Sequence, residues 1–449
     1  MKMKIILLII FGIFAFCSCS KNLETTPEIN NIQKDYTIPI EDALSSLEDF
    51  MGKRGIVMTK GGVSDYIDNY FTVSTPATKT SSTMENILYA VNFKDEGGYA
   101  LLSADTRIQE DILAVTDQGS ITEEDFNETT FEKIPTDNDD LLESDYDAMV
   151  ESGVLAITDK QINIECLEYA RSQIDDCEDN DSDDDASNDS GSDTVTYSWK
   201  TIEQVPRMMN TAWTQSTAND DIFNKYCPEV GLIWKSKAPA GCVCIALSQI
   251  IAFHEYPGNL TYNGMQISYP DIKKIYYYNN GLYGYGDDIS RDMLARFCIK
   301  VGDWCNTKYH SIFKKSWGFA WPSDAKSCLE KFGYKNVSLN WSYNESQVLE
   351  SLDNDCPVFM SAISGLIAGH AWVIDGYIKR DYISSTGNVS KSQTLVHCNW
   401  GWAGNCNGYF TSGVFHTKNA EIKDAGFSSS KDKKYWYAFN TITYEKPQN

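Results

Sequence analysis

From Asp175 to Asp185 the chain runs Asp-Asp-Cys-Glu-Asp-Asn-Asp-Ser-Asp-Asp-Asp, then through Ala, Ser, Asn and Gly to Asp193, with no large apolar side chain to bury. Like charges at this density repel, so the stretch is expected to stay extended and open to proteases. A chain of 449 residues also exceeds what one hydrophobic core usually supports. We therefore read 175–196 as a linker between two folded parts, 37–174 and 197–449. The alternation of Asp179, Asp181 and Asp183 suggests a calcium loop, but an EF-hand needs glycine sixth and glutamate twelfth, where this register has Asp184 and Ser190. No calcium is expected.

The first part begins with helical spacing over 38–56 (Ala43, Leu44, Leu47, Phe50, Met51). The runs Asn86–Phe93 and Gly98–Ala104 then flank Lys94–Gly97, a hairpin signal, and a helix is predicted over 158–174. This describes a small α+β unit. The second part is rich in aromatics, with helices expected over 242–256, 289–301 and 322–332 and strands over 357–363, 371–377 and 395–399. It is α+β as well.

At the N-terminus, two lysines within Met1–Lys4 precede the apolar run Ile5–Phe16 and then Cys17-Ser18-Cys19. This is the pattern of a signal peptide, 1–19. The apolar run makes about 18 Å of helix, too short for a hydrocarbon core of about 30 Å. Phe16-Cys17-Ser18 before Cys19 resembles a bacterial lipobox, which implies lipid attachment at Cys19. Ordinary signal cleavage is the alternative, and Cys17 fits less well as the acylated residue because bulky Phe16 precedes it. A polar tether, 20–36, follows. The expected location is the cell envelope, as a lipoprotein of the outer membrane or a secreted protein. The net charge of −25 and the absence of a Lys/Arg cluster argue against nucleic acid or an anionic membrane surface as partner, leaving the lipid as the membrane link. Of thirteen cysteines, eleven remain after Cys17 and Cys19, an odd number that leaves at least one thiol unpaired within the chain.

The sharpest local feature is Ala238-Pro-Ala-Gly-Cys242-Val-Cys244, opening a helix that Pro257 stops. A thiol at a helix N-terminus faces unpaired N–H groups and the positive end of the dipole, which favour thiolate. Cys244, about 200° further round, should point away as a small buried residue. A nucleophilic thiol needs a base that also protonates the leaving amine, and histidine suits both roles. His254 lies twelve residues along the same helix, about 18 Å away, and is excluded by distance. His370, in Ala368-Gly-His-Ala-Trp-Val-Ile-Asp-Gly376, is the preferred base, His397 the alternative, and His310 and His416 lack comparable context. Asn399, in Asn399-Trp400-Gly-Trp402, is placed to fix the imidazole tautomer with Trp400 shielding it. Gln215, in Trp213-Thr-Gln215, offers a side-chain N–H₂ to an oxyanion hole with the Cys242 N–H.

In this order, Trp213-Thr-Gln215, Asn224, Ala240-Gly-Cys242-Val, Gln249, His254-Glu-Tyr-Pro257, Gly369-His370-Ala and Asn399-Trp400-Gly-Trp402 resemble the streptopain family of papain-like cysteine peptidases over about 197–449. The resemblance implies that Cys242 and His370 form the catalytic pair, that Gln215 lines the oxyanion hole and that Asn399 and Trp400 support the histidine. It implies a papain-like fold in which the nucleophile's helix packs on an antiparallel sheet or barrel. Tyr89–Phe93, Gly97–Leu101 and Ser103–Asp105 look like the inhibitory prodomain of such enzymes, making 37–174 an intramolecular inhibitor released by a cut between about 190 and 201, for which Lys200 is one site. An apolar pocket shaped by 361–368 is implied too.

The function expected is therefore a secreted cysteine endopeptidase made as a zymogen and acting on proteins or peptides. The alternatives are an inactive surface-binding lipoprotein and an amidase of cell-wall peptides. No cofactor is expected, since only Cys242 and Cys244 are closely spaced and no second Cys or His pair completes a zinc site.

Overall fold

The computed structural model describes residues 35–53, 62–76, 84–126, 159–178, 195–215, 222–231, 235–277, 283–284, 286–312, 315–364, 368–415 and 437–448. The signal peptide, Cys19, most of the tether and 179–194 of the acidic run lie outside them. Helix α1 (Ile40–Lys53) is followed by β1 (Ile67–Pro76), β2 (Met84–Phe93), β3 (Tyr99–Ser103) and β4 (Ile112–Thr116), and then by α2 (Asp159–Glu178). The predicted hairpin is present, with Tyr89 opposite Leu102. Helix α2 runs past the expected end at 174, four residues into the acidic stretch.

Alternation along these strands splits their apolar residues between two layers. Tyr89, Val91, Ala100, Leu102, Ile112 and Val115 face Ala43, Leu47, Phe50 and Met51 of α1. On the other side, Leu88, Ala90, Leu101 and Ala114 meet Ile162, Cys166, Leu167, Ala170 and Ile174 of α2.

The C-terminal half contributes β5 (Tyr197–Val205), α3 (Cys242–His254), α4 (Asp288–Trp304), α5 (Pro322–Phe332), β6 (Lys335–Asn340), α6 (Glu345–Asp353), β7 (Val358–Ser364), β8 (Ala368–Ser384), β9 (Val389–Asn399), β10 (Gly408–Thr411) and β11 (Tyr437–Glu445). Its strands continue the N-terminal sheet. The order is β1-β2-β3-β4-β10-β9-β8-β7-β11-β6, with β5 pairing β8, and every pairing is antiparallel. The junction is β4 against β10, where Gly408 lies opposite Thr116. A side chain at Gly408 would overlap the Val115 carbonyl, which accounts for glycine there. Residues of α1 also pack on Ile378, Leu395 and Tyr409 from β8, β9 and β10. The two sequence halves thus share one sheet and one core layer.

Helix α3 is the centre of the second half. Ten of its thirteen residues are buried, as its almost unbroken apolar sequence requires. Around it lie Leu294, Phe297 and Val301 of α4, Leu329 of α5, and Phe359 and Val373 of the sheet. Helix against antiparallel sheet gives an α+β architecture, with the helix that Cys242 opens packed on the sheet as expected.

Candidate active site

Cys242 is the first residue of α3, and Gly241 before it adopts φ +93°, a left-handed conformation. A Cβ at Gly241 would come within 2.8 Å of the Gly318 carbonyl oxygen, so glycine is required twice over. The turn is further tied down by the Ala240 N–H donating to the Gln215 carbonyl at 2.8 Å. Gln215 is thereby placed beside the nucleophile's turn. Thr214 bridges Trp402 and Ala403 N–H donates to the Trp213 carbonyl, so the segment carrying Gln215 is also joined to the loop after Asn399.

The Cys242 sulfur lies against the backbone N–H of Ala371, the residue after His370, and against those of Val243 and Cys242 itself. Burial pushes the thiol up, and these three donors only partly offset it. The expectation of a lowered thiol from the helix terminus alone is therefore corrected: removal from water outweighs the terminus here.

His370 is buried on β8, opposite Ala362 of β7. Its Nε2 lies 2.8 Å from the backbone oxygen of Trp400. A carbonyl can only accept, so Nε2 carries the proton and Nδ1 presents the basic lone pair. Nδ1 has no hydrogen-bond partner among the described residues. The ring stacks on Trp402 at 4.7 Å between centroids and 21° between planes, with Trp400 and Trp372 further out. Burial pushes the imidazole down to about 4, the Trp400 carbonyl pulling the other way. Burial thus opposes charging of both the thiol and the imidazole.

Asn399 is not where the sequence reading put it. Among the described residues its amide makes no hydrogen bond to His370. Nδ2 donates to the Thr211 carbonyl at 2.7 Å, and Oδ1 accepts from the Gly401 N–H at 3.3 Å. The atom that holds the imidazole belongs to the next residue, Trp400, through its backbone. A main-chain carbonyl cannot be read from residue type, and Asn399 acts on His370 only by shaping the turn that presents it.

The other histidines fall elsewhere. His254, at the far end of α3, meets the Tyr444 hydroxyl at 3.1 Å. His397 is buried, with Nδ1 2.5 Å from Asp375 and Nε2 3.5 Å from Asp117 of the N-terminal half. Burial alone would hold this ring neutral, but the two carboxylates push it up to about 9. The two oxygens of Asp375 meet His397 Nδ1 and the Met209 N–H, so Asp375 serves His397 and not His370. Sequence reading missed this cluster, although Asp375 stands within the quoted His370 motif. Cys244 is buried with its thiol donating to the Cys298 carbonyl at 3.1 Å, away from the cleft as expected. Among the described residues the eleven cysteines are free thiols, and no three His, Cys, Asp or Glu side chains are grouped to hold a metal. Lys200 lies in β5, paired with Asp381 of β8, so cutting there would require the strand to be peeled from the sheet. Of 361–368, side chains are described only for Ser361 and Ala362.

Residues 213–410 match the model of the Peptidase C10 family. Streptopain of Streptococcus pyogenes serotype M28 (strain MGAS6180) is 28% identical over 202 residues, 38% of this chain and 45% of that protein. Streptopain of Streptococcus pyogenes serotype M1 is 27% identical over the same length, with the same coverage of each chain. The match thus spans less than half the length of these relatives. Among solved structures, a mutant prointerpain A fragment of Prevotella intermedia aligns with 84% of this chain and 100% of its own, at 16% identity and a TM-score of 0.47. Active interpain A of the same organism aligns with 53% of this chain and 94% of its own, at 19% identity and a TM-score of 0.34. Over residues 213–410, then, this chain is similar to the Peptidase C10 family and, within it, to streptopain.

Proposed function

We propose that the protein is a cysteine endopeptidase made as a zymogen, with Cys242 as nucleophile and His370 as general base. The observation that carries this is the pairing of a helix-terminal thiol, set against the Ala371 N–H, with an imidazole whose tautomer leaves Nδ1 as a lone-pair acceptor. In the reaction, Cys242 loses its proton to His370 and attacks the scissile carbonyl carbon. The oxyanion is stabilised by the Cys242 N–H and the Gln215 side-chain amide. The imidazolium then protonates the departing amine, leaving a thioester, and next removes a proton from the water that hydrolyses it. Trp400 orients the ring through its carbonyl, and the stacked Trp402 keeps water from that bond.

Residues 37–174 act as the inhibitory prodomain. Their sheet is continuous with that of the catalytic half, and in this state no hydrogen bond joins the Cys242 thiol to Nδ1 of His370. A cut in the acidic linker, ahead of β5, would allow β4 to leave β10. The signal sequence and lipidated Cys19 would deliver the zymogen to the cell envelope, so that cleavage frees the active part from its anchor. Comparing the wild type with Cys242→Ala during purification tests the reading. The wild type should convert to a fragment beginning between about 190 and 201, most readily ahead of β5 at Tyr197, while the variant stays full length, and identical maturation of both would contradict self-activation.

A further inference from the structure

Gln249, an uncharged side chain fully buried in the middle of an apolar helix, has no part in the chemistry just described. It stands seven residues after Cys242 on α3, two helical turns and about 10 Å along the same face. Its amide meets that of Asn399 head to tail. Gln249 Nε2 donates to Asn399 Oδ1 and Asn399 Nδ2 donates to Gln249 Oε1, each at 3.2 Å. Gln249 Oε1 also accepts from the Thr211 hydroxyl at 2.9 Å. The direction of every bond is fixed by its neighbours. The Thr211 carbonyl can only accept and the Gly401 N–H can only donate, so Asn399 has one orientation, and Gln249 must present donor and acceptor to match it.

The consequence reaches the imidazole. Asn399 Oδ1 holds the Gly401 N–H, and Asn407 Oδ1 accepts from the Trp400 N–H at 2.9 Å, so the Trp400 peptide is clamped from both sides. Its carbonyl is the acceptor for His370 Nε2. One rigid helix thus carries the thiol at its start and, two turns later, the amide that locates the acceptor of the base.

We propose that Gln249 is a positioning residue of the active site, setting the height of the Trp400 carbonyl, and so of the His370 ring, relative to Cys242. The proposal rests on the peptidase reading above. An apolar residue of similar length would fill the same space but leave both polar groups of the Asn399 amide short of a partner, freeing the 399–401 turn to shift.

The test compares wild type, Gln249→Met and Thr211→Val as full-length chains and as any mature form that they yield. Cys242 alkylation by iodoacetamide is followed against pH, kcat and KM are measured on a peptide substrate, and thermal unfolding serves as a control. Gln249→Met should lose about ten- to a hundred-fold in kcat with little change in KM. Its alkylation profile should shift in pH while its unfolding midpoint stays near that of the wild type. Thr211→Val, which keeps the amide pair but loses the hydroxyl that braces it, should fall between the two. Wild-type kcat and pH profile in a folded Gln249→Met overturn the proposal, as does a wild-type profile in Thr211→Val if Gln249→Met does not fold. A wild type that neither cleaves peptides nor alkylates at Cys242 overturns the peptidase reading, and this inference with it.

Discussion

Replacing His397 tests the contact between the two halves. The ring is 1% exposed, its Nδ1 lies 2.5 Å from Asp375, itself fully buried, and its Nε2 faces Asp117. Arg207 reaches the same Asp117 carboxylate at 2.8 Å, Tyr409 packs edge-on to the ring, and Asp375 also accepts from the Met209 N–H. The folded-state value of about 9 stands above the ordinary 6.5 of an exposed histidine. Folding is therefore favoured by the proton His397 retains. A tenfold gain in proton affinity is worth about 1.4 kcal/mol, so the contribution is about 3 kcal/mol. Because the folded value is the higher one, this stability is fully present below about pH 6.5 and is lost as pH rises towards about 9. His254 and His370, both pushed down to about 4 by burial, act in the opposite sense and over a lower window, destabilising the fold as pH falls from about 6.5 to 4. Equilibrium urea unfolding in a Cys242→Ala background, which prevents self-digestion, separates these effects. Between about pH 6 and 9 the chain with His397 should lose about 3 kcal/mol more than the chain with His397→Gln. At the acid end the substitution itself should cost about 3–5 kcal/mol by leaving the Asp375 carboxylate buried without its cation. An equal alkaline loss in both chains, or a gain in stability across that window, would refute the reasoning.

Two further substitutions probe the joined sheet. Gly408→Ala forces a methyl group into the Val115 carbonyl and should cost about 1–3 kcal/mol, with faster amide exchange in β4 and β10 than in β7. Uniform exchange would show that the junction is not where the strain falls. Arg380, almost wholly buried, pairs with Asp111 across the two halves and with Gln393. Arg380→Met should destabilise by about 3 kcal/mol in urea unfolding, and adding Asp111→Leu should recover most of the loss. No recovery would mean that the guanidinium acts through Gln393 alone.

What could be read from the sequence was what is decided locally. Gly241-Cys242 at a helix start, Lys94–Gly97 between two apolar runs and Pro322 as the first residue of α5 each state their structure within a few residues. Distance excluded only His254; the glycine-flanked strand favoured His370 over His397, and the ordered motifs of the resemblance made that preference specific. The rest depends on pairings between distant segments. Nothing near Asn399 tells that its amide faces Gln249, 150 residues earlier, or that the turn it shapes offers a backbone carbonyl to His370. Residue type suggested an Asn–His contact, and the geometry passes that role to a main-chain atom. Likewise, the acidic run argued for two separate units, while β4 and β10, far apart in sequence, share hydrogen bonds that no local pattern announces. The rise of the Cys242 thiol has the same origin, since burial by the rest of the fold outweighs the helix terminus that the sequence displays.

The most direct test of the central claim is hydrolysis of an unstructured protein by the matured wild type, beside Cys242→Ala and His370→Ala supplied in cleaved form, with mass spectrometry after exposure to a thiol-alkylating epoxide. The account predicts one adduct, on Cys242, a rate lost in step with that adduct, and no measurable hydrolysis by either variant. Hydrolysis by Cys242→Ala at the wild-type rate, or an adduct on another of the cysteines that alone abolishes activity, would contradict it.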